Sequence, residues 1–207
     1  MTAGRVIRSF ASPAGVPTGL AWDGRTLWNC DYTAALIYQL KPMTGRVIRS
    51  FATPSTAPYG LTWDGRTLWL SDTGTDRIYQ ISPVTGRVVK SFLSPAGNST
   101  GVAWDGRTLW VADYNSDRIY QVEPQTGKVI RSFAAPNGNS SGLAWDGRML
   151  WCGDTGTDRT YQVDPWTGRV VQSFANPGGN VGGLTWDGRT VWMTDFSTDT
   201  IYQIAVS

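Results

Sequence analysis

The chain has 207 residues, of which 41% are hydrophobic and 16% charged, with a formal net charge of +2. That length suits one domain with a sizeable core, and the balanced charge argues against nucleic acid as a partner. No apolar run approaches the ~20 residues of a membrane helix, histidine is missing altogether, and eleven Trp, eight Tyr and six Phe beside 24 Gly favour short strands divided by turns.

In chain order, residues 4–10 read Gly-Arg-Val-Ile-Arg-Ser-Phe, a β-branched segment that returns at 45–51, 86–92, 127–133 and 168–174 with small changes. A proline loop rich in Gly, Asn, Ser and Thr follows. Then come Gly-Leu-Ala-Trp (19–22), Asp23-Gly24 and Arg25 to Asp31. Asp-Gly between two β-rich runs predicts a hairpin, because glycine accepts the positive φ of a tight turn. A second loop (32–36) leads to Ile37-Tyr38-Gln39-Leu40, and Lys41-Pro42-Met43-Thr44-Gly45 turns the chain into the next copy. Trp22-Asp-Gly-Arg-Thr-Leu-Trp28 recurs from Trp63, Trp104, Trp145 and Trp186, every step being 41 residues. Four short strands per repeat and no helical periodicity predict an all-β, five-bladed β-propeller of one domain. The blades are expected at about 18–52, 59–93, 100–134, 141–175, and 182–207 completed by 1–11. The chain begins on an outer strand and ends on a third strand, so the N-terminal strand is expected to close the last blade. A monomeric ring is the resulting expectation.

The repeat Gly101-Val-Ala-Trp-Asp-Gly-Arg-Thr-Leu-Trp-Val-Ala-Asp-Tyr-Asn-Ser-Asp-Arg-Ile-Tyr-Gln-Val122 resembles those of the NHL and streptogramin-lyase class of propellers. The likeness runs through essentially the whole chain. It implies a propeller, in a class that holds binding domains, scaffolds and a few enzymes. Those relatives usually have six or seven blades, against five here. The lyase resemblance also implies a catalytic histidine, which this sequence lacks.

Strand arithmetic assigns every connection to one face of the disc. The Asp-Gly hairpins and Pro-x-Thr-Gly turns lie on one side, the bottom, and are nearly uniform. The proline loops and the loops after Asp31, Asp72, Asp113, Asp154 and Asp195 lie on the other, the top, and vary most. Binding residues concentrate on variable loops of a rigid scaffold, with neutral drift as the alternative. The ligand candidates are therefore top-loop residues found in only some blades: Tyr32, Tyr59, Tyr114 and Phe196, with Asn98, Asn139 and Asn180. The five recurrent aspartates are read as turn caps, and the paired tryptophans (Trp22 and Trp28, Trp63 and Trp69, Trp104 and Trp110, Trp145 and Trp151, Trp186 and Trp192) as packing between blades. Asp76-Arg77, Asp117-Arg118 and Asp158-Arg159 read as surface ion pairs. Arg25 and its counterparts are expected to pair with the hairpin aspartates, while Trp166 is the odd tryptophan, a contact residue or drift.

With Glu123 the only glutamate, no histidine and no distinct acid–base pair, catalysis is not expected, nor is a metal or cofactor. Cys30 and Cys152, on opposite strand faces in non-adjacent repeats, are expected to be free, buried thiols. The resulting expectation is a non-catalytic scaffold binding a protein or small ligand through its top face. A carbohydrate-binding lectin is the alternative and a lyase or hydrolase a weaker one. The unvarying 41-residue length of the repeats also suits recent amplification or engineering. Neither nucleic acid nor membrane is expected as a partner. No signal-peptide pattern precedes the first repeat, so a mature form, a cytosolic protein and an excised domain all fit, and the compartment stays open.

Overall fold

Each hairpin is built by its aspartate. In the computed structural model, which describes residues 3–206, Asp23 accepts hydrogen bonds from the backbone N–H of Arg25 (2.8 Å) and Thr26 (2.6 Å), from the Thr26 hydroxyl, and from the Trp28 indole (2.8 Å). Gly24 takes φ +92°, the left-handed region where a side chain would be strained. The same clamp recurs at Asp64, Asp105, Asp146 and Asp187; only at Met149 is the hydroxyl donor lost. Burial pushes the Asp23, Asp64 and Asp187 carboxyls up, but these hydrogen bonds outweigh it and hold them below the usual carboxylate range.

Twenty strands form five four-stranded antiparallel sheets. The chain enters on β1 (Val6–Ala11). Blade 1 holds β2 (Pro17–Trp22), β3 (Leu27–Asp31), β4 (Leu36–Leu40) and β5 (Val47–Ala52). Blade 2 holds β6 (Pro58–Trp63), β7 (Leu68–Asp72), β8 (Arg77–Ile81) and β9 (Val88–Leu93). Blade 3 holds β10 (Ser99–Trp104), β11 (Leu109–Asp113), β12 (Arg118–Val122) and β13 (Val129–Ala134). Blade 4 holds β14 (Ser140–Trp145), β15 (Leu150–Asp154), β16 (Arg159–Val163) and β17 (Val170–Ala175). Blade 5 holds β18 (Val181–Trp186), β19 (Val191–Asp195) and β20 (Thr200–Ile204), and β1 completes it. Phe10 pairs with Ile201 and Ala11 with Thr200, so the ring closes by main-chain hydrogen bonds. The expected fifth-blade range includes Met1, Thr2 and Ser207, which lie outside the described residues.

The core sits between blades. Trp28 of blade 1 packs with Leu61, Leu68, Leu70 and Ile81 of blade 2, and Trp192 of blade 5 with Leu20, Leu27 and Leu40 of blade 1. The second tryptophans are at most 2% exposed; their partners Trp22, Trp63, Trp104, Trp145 and Trp186 are half-buried against the same clusters. At the axis the inner strands approach too closely for a side chain. A Cβ on Gly142 would lie 2.6 Å from the Leu184 nitrogen, and one on Gly60 2.8 Å from that of Val102. Gly19, Gly101 and Gly183 meet the next strand's backbone in the same way. This glycine ring sets the bore of the disc.

Two expected pairings are not formed. The Arg25, Arg66 and Arg107 side chains make no hydrogen bond to the hairpin carboxylates, whose oxygens are already taken by N–H, hydroxyl and indole donors. Arg77, Arg118 and Arg159 donate instead to the hydroxyls of Ser91, Ser132 and Ser173. Asp76, Asp117 and Asp158 sit at φ +52° to +53°, a turn position that aspartate tolerates better than most residues. Their role is in the turn.

Candidate functional site

The top face is anchored by Asp31, Asp72, Asp113, Asp154 and Asp195, at most 1% exposed at the ends of the second strands. One carboxylate oxygen accepts from the loop that follows, through the N–H of Ala34 (2.7 Å), Thr75, Ser116, Thr157 or Thr198. The other accepts from the preceding proline loop, through the N–H of Val16 (2.9 Å), Asn98 (2.8 Å), Asn139 or Asn180. Asp72 lacks this second bond: its Oδ2 is buried without a partner among the described residues. The other four aspartates each fasten two loops to the sheet, and Asp72 fastens one. Among the described residues no three Cys, Asp or Glu side chains converge as a metal site would require.

The anchored loops enclose a hollow of about 360 Å³ at the top of the axis, fed by four blades. Five of the residues singled out from sequence line it: Tyr59, Asn98, Tyr114, Asn180 and Phe196. Asn139 does not; its carboxamide lies against Gly156. Tyr32 is exposed at the rim and is not a lining residue, although its phenol acts on that of Tyr59.

Thr100, Ser141 and Thr155 complete the wall and were missed. A signal existed. Thr18, Tyr59, Thr100, Ser141 and Gly182 occupy one varied position just before the invariant ring glycine of the inner strand.

No charged side chain lines the hollow, so its chemistry is that of neutral hydroxyls and carboxamides. Tyr59 enters from β6, and burial, with the neighbouring Tyr114, Tyr32 and Cys30, pushes its phenol up to about 12. It therefore stays a proton donor across the neutral range. The Ser141 Oγ is buried without a partner among the described residues, in a residue 2% exposed. Thr100 is already engaged, donating to the Ser140 carbonyl at 2.7 Å. Asn98 holds the Asn115 carboxamide only loosely, at 3.4 Å. Below Tyr59, the Cys30 thiol donates to the Tyr59 carbonyl at 3.3 Å; burial pushes it and Cys152 up to about 12, so neither is a ready nucleophile.

A larger groove, about 720 Å³, opens at the bottom rim of blade 1 between Arg25, Gln39, Met43 and Ile48. Similar grooves recur at blades 3, 4 and 5. They follow from the repeated hairpin-and-turn geometry, whereas the axial hollow combines different residues from each blade. The axial hollow is the better candidate for specific recognition.

Solved structures share the fold. The crystal structure of Myxococcus xanthus glutaminyl cyclase superposes with a TM-score of 0.82 at 14% identity, covering 97% of this chain and 94% of that one. Selenomethionine-substituted virginiamycin B lyase from Staphylococcus aureus gives 0.58 at 18% identity, covering 96% of this chain and 69% of its own. A catalytically inactive histidine-to-alanine variant of that lyase with quinupristin gives 0.55 at 20%, covering 90% and 66%. Such identities carry the fold alone. The resemblance to streptogramin lyases therefore holds at the level of the propeller. No curated protein matches in sequence.

The sequence profile described as glutamine cyclotransferase matches residues 5–137. This corrects the expectation of a non-catalytic chain. That expectation rested on missing histidines and acid–base pairs, but such groups are not the only route to catalysis: neutral donors and enforced proximity also lower barriers. With well over half its length matched, the chain belongs to the glutamine cyclotransferase family.

Proposed function

We propose that the chain cyclises an N-terminal glutaminyl residue in the axial hollow of its top face. The observation that carries the reading is the family match, joined to a cavity lined wholly by neutral hydrogen-bonding and aromatic groups. In the reaction the substrate's neutral α-amine attacks its own γ-carboxamide carbon. The new C–N bond closes a five-membered lactam, the old C–N bond breaks, and ammonia leaves with the proton the amine gives up. Nucleophile and electrophile belong to one residue, so the protein's task is to hold the side chain curled and to donate to the developing oxyanion.

Tyr59 and Tyr114 phenols, the Ser141 hydroxyl and the Asn180 carboxamide supply donors; Phe196 offers an apolar wall for the side-chain methylenes. The five buried aspartates around the top favour a cationic peptide N terminus on approach. Because no carboxylate, imidazole or amine lines the hollow and the Tyr59 phenol is raised, activity should rise with pH through the substrate amine, about 7.7–8.0.

The test is incubation with a peptide beginning in glutamine, following ammonia release and the corresponding mass loss. Expected is turnover that falls about 10-fold or more in Tyr59→Phe or Asn180→Ala with the fold intact. No ammonia above the uncatalysed rate at any pH between about 6 and 9 contradicts the proposal.

A further inference from the structure

Cations and acids nearly cancel over the whole chain, but strand direction sorts them by face. Fifteen of the 18 Lys and Arg residues lie on the bottom hairpins, the bottom turns, or the outer-strand residues that reach toward those turns. Only seven of the 16 acids share that side, Glu123, Asp164 and the five hairpin aspartates, leaving the bottom with a net +8. The top carries Arg77, Arg118 and Arg159 against nine aspartates, a net −6.

The bottom charge is not neutralised in place. Asp23 and its counterparts are saturated by turn donors and indoles, so the exposed guanidinium groups of Arg25, Arg66, Arg107 and Arg189 make no hydrogen bond among the described residues. The tips of the neighbouring turns are apolar and protrude: Met43 is 70% exposed, Val84 76% and Trp166 75%. Arg131 stacks over Trp166, 4.1 Å from its ring centre, and holds the indole at the face.

We propose that this bottom face docks on an anionic lipid bilayer. The hairpin arginines meet the headgroups while Met43, Val84 and Trp166 enter the interfacial layer, leaving the top-face hollow open to solvent. A nucleic acid or other soluble polyanion would engage the arginines, and a base could stack on Trp166, but it has no apolar layer for Met43 and Val84; a bilayer interface rewards the arginines and all three tips, tryptophan in particular. No helix among the described residues is long and apolar enough to cross a membrane. The expectation of no membrane partner came from the absence of an apolar run, and that of no nucleic acid from the small net charge; neither reveals a face. This inference stands whether or not the top face cyclises glutaminyl peptides.

The test is co-sedimentation of the full chain with phosphatidylcholine vesicles holding about 30 mol % phosphatidylserine. Expected is binding at about 50 mM salt that weakens at least ~10-fold by about 500 mM and is lost on pure phosphatidylcholine. Joint reversal of Arg25, Arg66, Arg107 and Arg189 to Glu should cost more than ~10-fold, and Trp166→Ala several-fold. These positions are exposed, and near-ultraviolet circular dichroism checks that the fold survives. Acyl-chain-brominated lipid should quench native tryptophan fluorescence, and Trp166→Phe should abolish that quenching. No partition at low salt, equal binding to neutral vesicles, or quenching unchanged in Trp166→Phe overturns the proposal. So does retention on a heparin column without vesicle binding, which would identify a soluble polyanion instead.

Discussion

The bottom connections of the five blades are near copies, each hairpin carboxylate gripping the same turn N–H groups and indole. The top connections hold Val16, Ala57, Asn98, Asn139 and Asn180 at one position and Tyr32, Thr73, Tyr114, Thr155 and Phe196 at another. The difference has a mechanical cause. At the bottom the turn side chains themselves form the hydrogen bonds that shape the hairpin and orient the core tryptophan, so every blade needs them. At the top a buried aspartate holds both loops chiefly by their backbone N–H groups, which leaves most loop side chains free to differ. Repetition therefore marks what builds a blade, and variation marks where a site can be assembled.

The largest expected effect breaks the repeated side. Trp110→Ala should cost about 3–5 kcal/mol in urea denaturation, since the indole fills the space between blades 3 and 4 and lies tilted against Phe133. A loss under ~1 kcal/mol would contradict a structural role for the motif.

Next comes the clamp. Asp64→Ala leaves the Thr67 and Trp69 donors unsatisfied and should cost about 2–3 kcal/mol. The same carboxyls set the acid limit. The folded-state values of Asp23, Asp64 and Asp187 are depressed, so their contribution is present above the unfolded value of 3.8 and is lost as pH falls below it. Thermal melts should drop steeply there, and less steeply in Asp64→Asn.

Groups facing the core and the axial hollow set the alkaline limit. Cys30 and Cys152 rise from 9.0 to about 12, and Tyr59 from 10.0 to about 12. Folded-state values raised in this way give stability that is full below the unfolded values and declines as pH climbs toward 12. Cys30→Ala should flatten that decline, measured by urea titration at several pH values; an unchanged slope would discount the buried thiol.

The smallest effect is at a top turn. Ala35 holds φ +51° where the other blades place aspartate, and Ala35→Gly should stabilise by about 0.5–1 kcal/mol. Destabilisation would show that the methyl group packs usefully.

The five-bladed disc was legible because a 41-residue period, Asp-Gly turns and the strand phase at both ends all point the same way. Tyr59, Tyr114 and Asn180 could be named from sequence by comparing repeats with one another. Ser141 and Thr100 were passed over although the same comparison marks their position as varied, because small hydroxyl residues within a strand look like ordinary inner-strand packing until the glycine ring shows how narrow the axis is. Arg25 and its copies were read as neutralised by the adjacent aspartate; sequence adjacency does not show that Trp28 and Thr26 already occupy that carboxylate. The family match points to an enzyme, and that was hidden for a related reason: the site proposed for it, a hollow of neutral donors, leaves no charged pair in the sequence to find.

The most direct measurement is a crystal structure with a peptide whose N-terminal glutamine is replaced by an isostere that cannot cyclise. The N-terminal residue is expected in the axial hollow, its side chain against Phe196 and within hydrogen-bond reach of Tyr59 or Asn180. Occupancy of the bottom groove between Arg25 and Met43, with the hollow empty, would contradict it.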